Sequence, residues 1–304
     1  MPLIYNGTNI DKVIYNGVEL DKVIYNGVVV YESIDYNRSY FFIKNPTAEY
    51  LEFKIRFNAI SATESNPLNI YYYVGEDIEK PTDPSTSITS SGSKTLTFGL
   101  EGDNAAIIEF AGSQFGEYNT SYALFYDNQE LLTRAIIGTN CVDEYRILND
   151  NNNLTEIVFA AIDIPFSITN APKLTNIDFI TNPRYIGYIN NTGLTSFTVP
   201  ANVTSVSQIA RNSALKTLTI LPTNIQMGQN HYSNNTVLEH MYVYTTAESI
   251  AKSTSYIYSW VYGSNPNLVI HLPATLNMTQ AQTLFGQYFN SIDSTHQATV
   301  LFDL

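Results

Sequence analysis

Four histidines, His231, His240, His271 and His296, and a single cysteine, Cys141, are the residues of this 304-residue chain best suited to proton transfer, nucleophilic attack or metal binding. Their spacing assembles none of those sites. There is no His-Glu-x-x-His and no close His/Cys pair that would set two ligands on one face of an element. His240 and His271 fall within expected strands, where satisfied or outward-facing structural roles are anticipated. No Gly-x-Ser-x-Gly elbow occurs, and no Gly-rich loop ends in Lys-Ser/Thr to cradle a phosphate. "EGDN" at 101–104 and "DNNN" at 150–153 lack the alternating carboxylates of a calcium loop and read as turns. The paired carboxylates of glycoside hydrolysis meet in space rather than in sequence, and nothing here points to a particular pair. No catalytic residue, metal ligand or cofactor is assigned, and the expectation is a non-enzymatic protein.

Recognition chemistry is denser. "HYSNN" (231–235), "MYVYTT" (241–246) and "SYIYSWVYG" (255–263) concentrate aromatic rings and amides. Tyr256, Tyr258, Trp260 and Tyr262 are candidate ligand-binding residues, because Tyr and Trp offer large contact area at low entropic cost. The same residues would equally serve to pack the end of a stack, and both readings stand at this point.

Composition narrows the partners. The formal net charge is −13 and the pI near 4.6, so a phosphate backbone is repelled and nucleic acid is not an expected partner. Only 14% of residues are charged while tyrosines number 23, giving a surface wetted by hydroxyls and amides. One cysteine excludes an intramolecular disulfide framework, and Cys141 reads as a buried small hydrophobe. No stretch approaches the roughly 18 apolar residues of a membrane span, and "MPLIYNGTNI" does not look like an export signal. The expected product is a soluble cytoplasmic polypeptide, without membrane insertion.

The elements that would position the aromatic residues are repeats. "NLTEIVF", "KLTNIDF", "GLTSFTVP", "ALKTLTILP" and "VLEHMYV" begin with Leu154, Leu174, Leu194, Leu215 and Leu238, which are 20, 20, 21 and 23 residues apart. "NLVIHLP" at 267–273 closes the series. This period, with Leu-x-x-apolar-x-apolar, predicts one short strand per coil, stacked in parallel. Leu154, Ile157 and Phe159 would point inward; Thr155 and Glu156, like Thr175, Asn176, Thr195, Ser196, Lys216 and Thr217, would face out. Asn170, Asn190, Asn191 and Asn212 lie near turns and can bond the backbone of neighbouring coils. Thr245-Thr246-Ala247-Glu248 reads as a capping box that starts a short helix. A second helix is expected from Asn277, with Met278, Ala281, Leu284, Phe285 and Tyr288 on one side despite Gly286, as a cap on the stack.

The amino terminus carries a different repeat. Tyr5, Tyr15 and Tyr25 precede Asn-Gly pairs at a spacing of ten. Asn-Gly suits a type I′ turn, so each unit predicts a small hairpin. A hairpin of about three residues per strand is at best marginal alone, so the array needs a surface to pack on. That surface is either the rest of the chain or a docking partner, for which Tyr5, Tyr15, Tyr25, Val13 and Val23 are the candidate contacts. Between the repeats, "YLEFKIRFNAI" (50–60) alternates Leu51, Phe53, Ile55 and Phe57 against Glu52, Lys54 and Arg56. With similar segments it predicts a β-sandwich, while Glu79 to Ser93 reads as a mobile loop. The expected architecture is mainly β, with hairpin repeats over 1–34, a β-sandwich over 35–150 and a leucine-rich-repeat solenoid with short capping helices over 151–304.

"GLTSFTVP" and "ALKTLTILP" resemble the BspA-like leucine-rich repeats of bacterial surface proteins and of phages that infect gut bacteria. A recurring "AF" followed by Cys or a small residue is missing from the coils. "DKVIYNGVELDKVIYNGVVVYE" resembles the short repeats that open tail, baseplate and fibre proteins of tailed bacteriophages. These resemblances imply a structural virion protein of the tail, baseplate or fibre, assembled in the host cytoplasm and released by lysis. Its partners would be other virion proteins and a host-surface glycan or protein. For a fibre the expected homo-oligomer is a trimer, although no heptad coiled coil supports one. A capsid-decorating or head-fibre protein, a bacterial cell-surface adhesin and a polysaccharide depolymerase are the alternatives.

Overall fold

The computed structural model describes the backbone of six strands within residues 3–32, and residues 34–74, 81–116, 124–125, 130–143, 148–160, 167–180, 183–221, 231–244, 246, 260–286 and 288–304. The chain divides into two units, Met1–Tyr36 and Asn37–Leu304. In the first, β1 (Leu3–Tyr5) pairs with β2 (Thr8–Ile10), β3 (Val13–Tyr15) with β4 (Val18–Leu20), and β5 (Lys22–Tyr25) with β6 (Val28–Glu32), all antiparallel. In sequence an Asn-Gly stands between the strands of each pair, the dipeptide favoured in two-residue hairpin turns.

The second unit begins with β7 (Ser39–Lys44), β8 (Leu51–Ala59), β9 (Leu68–Val74), β10 (Thr86–Ile88), β11 (Gly92–Leu100), β12 (Ala105–Gly112), β13 (Phe115–Gly116), β14 (Leu132–Ile137) and β15 (Cys141–Asp143). They form a sheet β10-β9-β12-β7-β14, which continues into later strands, and a four-stranded sheet β11-β8-β13-β15. Alternation decides which face is inside. In β8, Phe53, Ile55 and Phe57 are buried while Glu52, Lys54 and Arg56 are not. Rings from the two sheets meet edge to face, Phe57 on Phe110 with centroids 5.0 Å apart and Phe53 on Tyr72 at 6.2 Å. Within the stretch read as a loop from Glu79 to Ser93, β10 pairs with β9 and Gly92 already opens β11. Its many hydroxyl residues concealed strands that lie largely in solvent.

The remaining strands are β16 (Glu156–Phe159), β17 (Ile168–Ala171), β18 (Asn176–Phe179), β19 (Tyr185–Thr192), β20 (Ser196–Val199), β21 (Ser205–Ala210), β22 (Thr217–Ile220), β23 (His240–Val243), β24 (Val269–Leu272) and β25 (Thr299–Phe302). They build a β-solenoid of about four turns. β16 pairs in parallel with β14, and β18 with β16, so the first coils extend the seven-stranded sheet. β20-β22-β23-β24-β25 form one parallel stack and β17-β19-β21 another. Leu154, Leu174, Leu194, Leu215 and Leu238 are all buried, as are Ile157, Phe159, Phe197, Leu218 and Met241. Each coil therefore contributes an apolar rung that is covered only when its neighbours are present.

A turn repeats with the coils. Asp150, Asn170, Asn191, Arg211 and Asn234 all adopt positive φ, between 55° and 60°, and Gly263 follows at 70°. Asn and Asp tolerate this left-handed conformation better than other side chains. The residue after the turn is buried, and except at Ala171 it is polar. Asn212 Oδ1 accepts from the Thr192 amide at 3.0 Å and the Thr192 hydroxyl at 2.8 Å, while its Nδ2 donates to Ile189 at 2.9 Å. One coil on, Asn235 Oδ1 accepts from the Asn212 amide at 3.0 Å and its Nδ2 donates to Ile209 at 2.9 Å. On the outer side, Asn191 donates to Asn170 and Asn170 to Asp150.

Helix α1 (Met278–Phe285) starts where the spacing predicts, with Asn277 and Gln280 exchanging both bonds of a capping box. Ala281 is buried, but Met278 and Tyr288 are exposed, and the helix stops at Gly286, whose φ of 90° lies outside helical space. The single apolar side expected through Tyr288 is thus cut short by that glycine. The other expected helix start lies largely outside the described residues: of Thr245 to Glu248 only Thr246 is described.

Replacing Asn212 by Ala should destabilise the second unit by about 2 kcal/mol or more in urea unfolding, since buried backbone groups lose their partners. Tyr72 tests the first two sheets. Its hydroxyl donates to the Gly99 carbonyl at 2.7 Å, and burial, with a smaller contribution from Tyr50, pushes its pKa from 10.0 up to about 12. A raised folded-state value leaves its stabilisation intact below pH 10 and removes it as pH climbs towards 12. Urea midpoints should fall across that window in the native chain, and fall less in Tyr72→Phe.

Candidate functional site

The parallel stack β20-β22-β23-β24-β25 brings outward residues into rows. Thr198, Thr219, Tyr242, His271 and Leu301 form one row, and Ser196, Thr217, His240, Val269 and Thr299 another. Hydroxyls occupy the β20 and β22 end of both rows. Rings occupy the β23 and β24 end: the Tyr242 and His271 rings stack at 4.4 Å with 14° between their planes, and His240 stacks on Tyr242 at 6.0 Å.

A chain of hydrogen bonds runs through these rings. His240 Nδ1 lies 3.1 Å from His271 Nε2, and His271 Nδ1 lies 3.0 Å from both carboxylate oxygens of Asp303. An ionised carboxylate only accepts, so His271 Nδ1 carries a proton towards Asp303. In the neutral ring His271 Nε2 is then the acceptor, and His240 Nδ1–H donates to it. The order of donors leaves the lone pair of His240 on Nε2, where a ligand hydroxyl can donate. His271 is only 9% exposed and held on both sides, whereas His240 is half-buried at the surface. The arrangement is a line, not a convergent cage; among the described residues no group of three or more His, Cys, Asp or Glu is placed to hold a metal. Lys216 and Glu239, 3.4 Å apart, flank the start of β22 and β23.

The residues singled out from sequence have other places. Trp260 is 3% exposed, with its ring edge-on to Tyr232 at 6.4 Å and to Phe289 at 6.0 Å, so it packs the interior. Tyr262 is 53% exposed. Tyr256 and Tyr258 lie outside the described residues. Tyr5, Tyr15, Tyr25, Val13 and Val23 lie on strands of the hairpins, whose side chains also fall outside the description. His296 bonds locally to Asp293, and backbone and side-chain donation from Thr295, followed by His296, holds the Asp293 carboxyl below its usual range. His231 is partly buried and its pKa is lowered by desolvation.

Sequence reading separated His240 from His271 by 31 residues and left them unrelated. One signal was present. From Leu154, Leu174, Leu194, Leu215 and Leu238 the first inward strand residue follows three places later, but Leu268 stands only two before Ile270. That missing residue turns His271 outward and level with Tyr242. Comparison with protein-family models, with curated proteins and with solved structures finds no match to this chain.

Asp303→Ala should release the donor order. In long-range proton–nitrogen spectra, His271 and His240 should each hold one tautomer in the native chain and shift towards mixtures in the variant, with the fold retained by circular dichroism.

Proposed function

We propose that this chain is a non-enzymatic structural protein of a bacteriophage particle, in the tail, baseplate or fibre. Its amino-terminal hairpins dock to other virion proteins, and its solenoid presents a face to a host-surface glycan. In this reading residues 35–150 are a β-sandwich that serves as spacer, and residues 151–304 are leucine-rich-repeat-like coils. The observation that carries the proposal is the outward face of β20 to β24, where Ser196, Thr198, Thr217 and Thr219 lie beside Tyr242 and His240. A sugar presents an apolar face and a rim of hydroxyls, and an aromatic ring beside hydroxyl and imidazole groups answers both. A stacked parallel sheet supports such a surface well, because each outward residue is fixed by ladders on either side.

The two halves of the proposal separate experimentally. Deleting residues 1–32 should leave the rest folded and abolish incorporation into particles, read by mass spectrometry of purified virions; normal incorporation rejects the docking role. Tyr242→Ala, folded by circular dichroism, should weaken binding to a glycan retained by the native chain by about fivefold, since an aromatic contact contributes on the order of 1 kcal/mol. Unchanged retention on a glycan array rejects the presenting face.

A further inference from the structure

The solenoid is not equally closed on its two stacks. Among the described residues β17, β19 and β21 are laddered without a break, but the other series stops at β18 and begins again at β20. Between those two strands lies a cleft of about 500 Å³, lined among others by Ile177, Asp178, Phe179, Phe197, Thr198 and Leu221.

Several features mark this as a built opening. The inward residues of β18, Ile177 and Phe179, are only partly buried, whereas those of β16, β20, β22 and β23 are buried. Ile180 is 49% exposed and Leu221 37%, which adds apolar surface at the rim. The residue after β16, β18 or β22 donates its amide to the last residue of the preceding strand in the ladder, as Ala160 does to Ile137, Ile180 to Phe159 and Leu221 to Val199. Pro200 occupies that position after β20 and has no N–H to give towards β18.

The polarity of the edges follows from the same bonds. Asn176 and Ile180 donate towards β16, so the alternate residue Ile177 turns its N–H and C=O away from β16, into the cleft. Thr195 and Val199 accept from β22, so Ser196 and Thr198 turn their main-chain groups towards the cleft from the other side. An open strand edge of this kind is a template for another strand.

We propose that the cleft is a docking site for one extended strand of a partner polypeptide, which pairs with the open edge of β18. Its alternate apolar side chains cover Ile177, Phe179 and Leu221, and a Lys or Arg faces Asp178. Main-chain donors and acceptors at a two-residue period match a polypeptide and do not match a sugar or a lipid. Strand on strand is already the interface between successive coils, and the occupant continues it. Among the described lining residues Asp178 carries the only charge, which selects a cationic residue. A second copy of this chain, at −13, approaches against its own charge.

The probe is a displayed library of heptapeptides with alternate positions restricted to Val, Ile, Leu, Phe and Tyr, selected on the full chain. The best peptide is then synthesised plain and with N-methylated amides on the edge facing β18. Selection should enrich Lys or Arg at one position. N-methylation and Asp178→Lys should each weaken binding at least tenfold, and bound peptide should slow hydrogen exchange at Ile177. Asp178 is exposed, so the variant keeps the fold, checked by circular dichroism. Failure to enrich any sequence, affinity indifferent to N-methylation, or protection confined to other strands overturns the proposal. So does self-association of the native chain abolished by Asp178→Lys, which would make the occupant a second copy.

Discussion

The solenoid of the second unit depends on bonds between one coil and the next at a left-handed turn. The positive φ at Asp150, Asn170, Asn191, Arg211, Asn234 and Gly263 reverses the chain at the same point of each coil. The reversal buries the following residue, and where that residue is Asn212 or Asn235 its side-chain amide bonds backbone groups of the preceding coil. Unpaired, those groups would each cost on the order of 1–3 kcal/mol inside an apolar stack. The turn therefore fixes coil spacing, and coil spacing brings the leucine rungs into register.

Register, once set, makes the surface. Outward residues on β20, β22, β23 and β24 do not choose their neighbours; the parallel ladder places Thr219 beside Tyr242 and Tyr242 beside His271. The hydrogen-bonded line from Asp303 through His271 to His240 is a consequence of stacking three coils, each of which supplies one member. The same rule explains the cleft. Where, among the described residues, the ladder lapses between β18 and β20, Ile177 and Phe179 are only partly buried and the main chain of Ile177 turns to the cleft, so an apolar floor and a polar edge appear in one place.

Much of this was legible in the chain. The spacing of Leu154, Leu174, Leu194, Leu215 and Leu238 announced a stack, because a periodic apolar residue has no use unless it meets its own equivalents. The Asn-Gly pairs announced hairpins, and the alternation of "YLEFKIRF" announced a half-buried strand, since both signals are local backbone and side-chain geometry. The aromatic run from Tyr256 to Tyr262 was less informative. Trp260 turned inward against Tyr232 and Phe289 while Tyr262 stayed in solvent, and composition alone does not separate those outcomes.

What the sequence determined by itself was the mainly β character, the coil period and the identity of the inward leucines, all of which are set within about twenty residues of chain. Only the tertiary structure decided that His240 and His271 meet, that the seven-stranded sheet passes from β14 into the first coils, and that one ladder lapses beside Pro200. The reason is physical. Period is a property of each coil, but contact across coils depends on register, and a single residue gained or lost before a strand exchanges its inward and outward faces.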